Sequence, residues 1–211
     1  MTTPVSADFF VDCPTGLAGD MLLAACLDLG VPTSVIQAPL QQLGLDTAYA
    51  LRVSEAQSGG LRGLRLKVDA LEPDPAHRHW GDLRRQILAA ELKPSLRDMV
   101  LAVFSNLAEA EAAVHGEAPE QVHFHEVGAI DSLVDVVGVC AAFDVLPPRS
   151  LCWLPPPSGR GTVSTAHGVL PVPAPAVLEL AQRHGVTLRS GDDWPETELT
   201  TPTGLALSLI H

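Results

Sequence analysis

Apolar residues recur along this chain with two different periods, and the switches between them mark out its elements. Phe9–Val11 is a short apolar run closed by Asp12-Cys13-Pro14-Thr15-Gly16, which reads as a strand followed by a loop. Gly19-Asp20 then opens a helical pattern through Met21, Leu22, Leu23, Cys26 and Leu27 to a glycine stop at Gly30. This strand, loop and helix make a βα unit. A second short helix is expected over Ser34–Leu43. Tyr49–Glu55 and Leu61–Ala70 alternate on either side of Ser58-Gly59-Gly60, the pattern of a β-hairpin. Leu71–His79, interrupted by Pro73 and Pro75, reads as a loop, and Gly81–Ala90 as a helix.

Pro94 starts the clearest helix. Leu96, Met99, Val100, Val103, Leu107, Ala110 and Val114 recur at three- and four-residue spacing, and His115-Gly116 ends the stripe. Val127–Leu146 differs in being apolar nearly all round, with only Asp131, Ser132, Asp135 and Asp144 interrupting it. Such a helix needs neighbours on most sides, so it is expected at the centre of the fold. Pro147–Gly161 is a proline-rich connection around the apolar stretch Leu151–Leu154. Pro175 opens a helix over Ala176–His184, and Thr201-Pro202 supplies the N-cap and first position of a last one. The chain stops inside that last pattern, at His211, as a portion of a longer protein would. The mixture predicts an α/β or α+β fold and leaves the strand order open. Residues 1–211 read as one N-terminal portion, with a subdivision at 1–70 and 71–211 as a further expectation.

Composition narrows the chemistry. Hydrophobic residues make up 46 % and aromatics only 4 %, so Leu, Val and Ala must build the core. The formal net charge of −12 comes with no basic stripe carrying interleaved aromatics, which argues against nucleic-acid binding. A negative field favours cations, although it also serves ordinary solubility. Cys13, Cys26, Cys140 and Cys152 form no CxxC pair, so neither a disulfide framework nor a closed zinc site follows. Cys26 and Cys140 sit in apolar helical patterns as small core residues. With no signal-peptide pattern and no uncharged apolar run of about 18 residues, the cytoplasm is expected and a membrane is not.

The densest chemistry lies in Val122-His123-Phe124-His125-Glu126-Val127-Gly128-Ala129-Ile130-Asp131-Ser132. In an extended segment His123 and His125 project to the same side. His125, Glu126 and Asp131 fall at or just before the start of the apolar helix, and Asp131 and Asp135 share one of its faces. A carboxylate on such a helix is expensive unless paired or holding a metal. Two imidazoles and two carboxylates suit Ni²⁺ or Zn²⁺. The competing reading is structural: Asp131 caps its own helix and the histidines are satisfied core or surface groups. Glu111 and His115, also four apart, could join the same site or form a solvated pair. His77-Arg78-His79 offers a weak metal pick-up on a loop, or an exposed polar turn.

Gly16-Leu17-Ala18-Gly19 before a helix presents backbone N–H groups that suit an anion. Asp12 and Asp20 would repel a phosphate there unless a cation bridges, and the turn matches neither a P-loop nor a dinucleotide fingerprint. Glu198-Leu199-Thr200-Thr201-Pro202-Thr203-Gly204 brings three hydroxyls to another helix start, for an anion or for simple capping. His167 stands before a proline-rich strand. No GxSxG occurs, so a serine triad is not supported.

Taken together, these segments resemble the LarC family of nickel insertion proteins. Asp12–Met21 resembles its DCxSGxxGDM opening, and Val122–Asp135 its VHFHEVGAxDSxxD segment. Ala166–Ala176 is similar to AHGxLPVPAPA and Glu198–Gly204 to ELTTPTG, all four in the family's order across nearly the whole chain. The resemblance implies a chelatase, a lyase that inserts Ni²⁺ into pyridinium-3,5-bisthiocarboxylic acid mononucleotide. The product is the nickel-pincer cofactor of client enzymes such as lactate racemase. It further implies CTP with Mg²⁺ or Mn²⁺, used by a C-terminal domain that this chain lacks or that a separate chain supplies. On that basis His123, His125, Glu126, Asp131, Asp135, His77 and His79 are expected to hold or pass nickel, with His125, Glu126 and Asp131 closest to the chemistry. Asp12, Gly16, Gly19, Asp20, His167, Thr200, Thr201 and Thr203 are expected at the organic ligand. Pro14 and Thr15 depart from the family's Phe and Ser, and the histidine-rich loop shrinks to His77-x-His79. The alternatives are a nickel carrier that turns nothing over and a metal-dependent phosphohydrolase.

Overall fold

A computed structural model describes residues 7–71, 78–124, 127–165 and 168–210. Strand β1 (Ala7–Val11) runs parallel to β6 (Pro148–Trp153), pairing Phe9 with Leu151 and Val11 with Trp153. Parallel pairing needs a long crossover, and here most of the chain supplies it. Helix α1 (Gly19–Asp28) leaves the first strand through its loop, and α2 (Thr33–Gln42) follows. Strands β2 (Tyr49–Ser58) and β3 (Leu61–Ala70) form the expected hairpin. Its turn is Gly59-Gly60 with φ of 55° and 79°, the positive pair that a tight two-residue hairpin requires.

Helix α3 (Trp80–Ala89) and α4 (Pro94–His115) come next, and Gly116 closes α4 in the left-handed conformation at φ 70°. The apolar stripe of α4 lies inward at Leu96, Val100, Val103 and Leu107, joined by Phe104 and Ala108, whereas Val114 is exposed. Val114 falls in the last turn of α4, next to the Gly116 stop. Helix α5 (Ile130–Val145) is the central element: all its residues from Leu133 to Phe143 are buried. It packs against α1, α2, α4, β3 and α7. Gly138 lets α1 and α2 come close, since a Cβ there would stand 2.9 Å from Leu23 and 3.1 Å from Ile36.

Helix α5 starts three residues later than its apolar pattern, because Val127-Gly128 forms a turn. Gly128 is held there by close approach: a Cβ would lie 2.7 Å from the Phe124 carbonyl oxygen. Strand β7 (Thr162–Thr165) pairs with β8 (Gly168–Pro171), followed by α6 (Pro175–His184) and α7 (Pro202–Leu207). Helix α7 ends at Leu207, with the Ser208 N–H bonded back to Gly204, so the helix expected to run on to His211 closes earlier, within the described residues. One core cluster runs through α1, α2, α4, α5, α6 and α7. The fold is therefore the mixed helix-and-strand type that the sequence predicts. Among the described residues, no helix is long and apolar enough to cross a membrane.

Candidate functional site

Two groups of polar side chains stand out, and each is positioned by apolar neighbours. Arg78-His79 is a two-residue strand, β4, paired antiparallel with β5 (His123–Phe124), where the sequence suggested a loop. What makes it a strand is the residue after each histidine. Trp80 and Phe124 point inward and meet Phe104, with ring centroids 6.2–6.3 Å apart. Burying such rings is worth about 1.5–3 kcal/mol each, and aromatic pairing adds roughly another 1 kcal/mol. Strand alternation then turns His79 and His123 outward together, with ring centroids 3.6 Å apart. The Trp80 N–H donates to Val122 at 3.0 Å, and Arg78 donates to the Gly128 carbonyl at 2.6 Å, tying the pair to the start of α5. His77, His125 and Glu126, which the sequence placed with this pair, lie outside the described residues, as does His167.

The second group lines a cleft of about 410 Å³ between α1, α4, α5, β3 and the segment leading into α7. Asp20, Glu111, Asp131, Asp135 and Glu198 supply carboxylates, and Lys67 supplies an ammonium. That ammonium already pairs with Asp69 at 2.6 Å and is largely exposed. The wall is therefore strongly acidic, a field that concentrates cations.

The cleft exists because two loops are laced together. The Leu17 N–H donates to the Leu199 carbonyl at 2.8 Å, and the Thr201 N–H donates to the Leu17 carbonyl at 3.0 Å. Gly204 permits the contact, since a Cβ would sit 2.3 Å from the Leu17 carbonyl oxygen. Gly16 likewise has no room, with the Leu199 carbonyl oxygen 2.7 Å from any Cβ. The Thr201 hydroxyl oxygen accepts from the Gly204 N–H at 3.1 Å, the N-cap expected from the sequence. The lacing brings Gly19, Asp20, Thr201 and Thr203 to the cleft wall.

Asp135 is the cleft's buried acid, 8 % exposed, and its Oδ1 has no hydrogen-bond partner. Gly19 packs directly on it, because a Cβ at Gly19 would meet Oδ2 at 2.6 Å and the Asp135 Cβ at 2.7 Å. Burial first, then the negative charges of Asp20 and Asp131, push the Asp135 carboxyl up to about 8, with the Asp20 backbone amide opposing. Asp131 is exposed and accepts from the Ser132 N–H at 2.8 Å. The N-cap position of α5 is Ala129, so Asp131 does not cap its own helix.

Other residues singled out in the sequence stand apart from the cleft. The Thr200 hydroxyl donates to the Pro157 carbonyl at 2.6 Å, and its residue is fully buried. Asp12 borders an apolar cavity with Phe9, Leu22 and Leu29 instead. His115 approaches Glu111 at 3.5 Å on α4. All four cysteines are free; burial pushes Cys26 up to about 11 and Cys140 higher still, so neither offers a thiolate. Lys67 at the cleft carries no signal in the sequence, because the hairpin pattern does not say which helix it folds against. Among the described residues, no three His, Cys, Asp or Glu side chains converge closely enough to hold a metal ion on their own.

The model of one protein family, described as "Nickel insertion protein", matches residues 9–210. A provisionally named nickel insertion protein of Synechococcus sp. (strain JA-2-3B'a(2-13)) is 44 % identical over 203 residues, covering 95 % of this chain and 51 % of its own length. Another, from Synechococcus elongatus, is 46 % identical over 200 residues, covering 95 % and 49 %. A third, from Citrifermentans bemidjiense, is 44 % identical over 198 residues. The chain thus spans about half the length of the curated relatives it matches. No solved structure matches it.

Proposed function

The chain belongs to the nickel insertion protein family, and we propose that it takes part in inserting Ni²⁺ into pyridinium-3,5-bisthiocarboxylic acid mononucleotide. The observation that carries this reading is the outward-facing imidazole pair, His79 beside His123 at 3.6 Å. Imidazole is a good ligand for nickel, the cargo of the reaction. His77, His125 and Glu126 adjoin the pair in sequence and complete the proposed ligand set.

The organic ligand is proposed to occupy the acidic cleft, against Gly19, Asp20, Thr201 and Thr203. Asp131 and Asp135 line that cleft, whereas His79 and His123 do not. Capture by imidazole and use beside carboxylates would then be successive stations. A hard carboxylate holds nickel less firmly than a sulfur donor does, so passing the ion to a thiocarboxylate is downhill. When a ring carbon bonds to nickel its proton must go to a base, and a carboxylate at the cleft or His125 can accept it. The CTP step, with its Mg²⁺ or Mn²⁺, is assigned to the half of the longer relatives that this chain does not span, on the same or a separate chain. Product would pass to nickel-pincer enzymes such as lactate racemase, in the cytoplasm.

A second reading is a nickel carrier that turns nothing over. Equilibrium dialysis against Ni²⁺ and Zn²⁺ tests the common premise. Wild type is expected to retain nickel and the His79→Ala/His123→Ala variant to lose it, with the fold checked by circular dichroism. Equal nickel retention by both would refute the imidazole site. Transfer of bound nickel to the thiocarboxylate then separates insertion from carriage.

A further inference from the structure

The acidic cleft has a feature that the imidazole pair does not explain. Asp135 is more than nine-tenths buried, borders the cleft, and keeps Oδ1 without a hydrogen-bond partner. A buried carboxylate oxygen left unpaired is costly and calls for an explanation, a bound ion among them. Asp20 from α1 and Asp131 one turn earlier on α5 border the same cleft, with Glu111 and Glu198 on the opposing walls. The donors are all oxygen. No three of the acids converge on one point among the described residues, which disfavours an ion that demands a full protein cage. Mg²⁺ and Mn²⁺ make no such demand: one or two carboxylates suffice, with water filling the other positions.

We propose that this cleft is a site for a hydrated hard divalent cation, Mg²⁺ or Mn²⁺, held by Asp131 and Asp135 with Asp20 acting through water. Its donors are all oxygen, unlike the imidazole pair proposed to capture nickel, and nickel on its way to the thiocarboxylate would meet the same carboxylates. The ion would neutralise a cleft in which an anion otherwise meets several carboxylates. For the mononucleotide proposed above it would bridge the phosphate to the wall; that consequence rests on the nickel-insertion reading, while the cation site does not.

The test is titration of the purified chain with Mn²⁺, following loss of the free-ion electron paramagnetic resonance signal. One Mn²⁺ per chain is expected, displaced by excess Mg²⁺, with affinity at least tenfold weaker in Asp135→Asn and in Asp131→Asn. Asp131 is exposed, so its variant keeps the fold even if the Asp135 variant does not. His79→Ala/His123→Ala should bind Mn²⁺ as wild type does while losing Ni²⁺, which keeps failure of this site distinct from failure of the nickel site. No Mn²⁺ binding in the millimolar range, binding unchanged in Asp131→Asn, or binding abolished only in the histidine variant would each overturn the proposal.

Discussion

Replacing Asp135 with asparagine keeps the shape of the side chain packed on Gly19 and removes the charge that the site resists. The wild-type carboxyl is raised from 3.8 to about 8, chiefly by burial and then by Asp20 and Asp131. A folded-state value above the unfolded one means that the native state holds the proton over the interval between them. Stability from this group is therefore fully present below about pH 4 and is lost as pH rises towards about 8. At about 1.4 kcal/mol per unit the whole shift corresponds to at most about 6 kcal/mol. Water at the cleft and side-chain relaxation reduce this, so about 2–4 kcal/mol is expected in practice. Glu111 from α4, Glu198 before α7 and Lys67 from β3 also border the cleft, and they are common to both proteins. The assay is urea unfolding of wild type and Asp135→Asn from pH 5 to pH 9, in EDTA. The variant should gain on wild type steadily up to about pH 8 and hold its advantage above that. Parallel stability profiles would refute the argument, since they would mean that Asp135 ionises in the fold as freely as in the unfolded chain.

Three further substitutions probe how the cleft is built. Gly204→Ala places a methyl against the Leu17 carbonyl and the Ala18 Cα, all backbone, and should cost about 2–3 kcal/mol. An unchanged thermal midpoint would show that the two loops are not laced as described. Thr200→Val leaves the Pro157 carbonyl unpaired in the core and should lower stability by about 1–3 kcal/mol without altering the urea m-value. Thr201→Ala removes the cap on Gly204 and should cost about 1 kcal/mol, whereas Thr201→Ser should recover most of it. Equal losses for the alanine and serine variants would exclude capping as the cause.

Local rules were enough for much of this protein. The hairpin at Gly59-Gly60, the α4 start at Pro94 and stop at Gly116, and the Thr201 cap all depend on residues a few positions apart. Backbone preference and short-range hydrogen bonding act over that range, so they are written in the sequence. The all-round apolar character of α5 likewise announced its central place, because such a surface has no stable position in water. The acidic candidates Asp131 and Asp135 could be assigned to one helix face by periodicity alone.

Tertiary structure decided which motifs meet. Gly16–Asp20 and Glu198–Gly204 are nearly the whole chain apart, yet backbone hydrogen bonds between Leu17, Leu199 and Thr201 join them. Their cleft contains Asp131 and Asp135 but not His79 or His123, although His123 lies only eight residues before Asp131 in the sequence. The burial of Trp80 and Phe124 turns the histidines outward on their own ladder, while the packing of α5 on Gly19 draws Asp135 inward. Sequence fixes which residues carry donors; only packing between distant segments decides which donors face the same space.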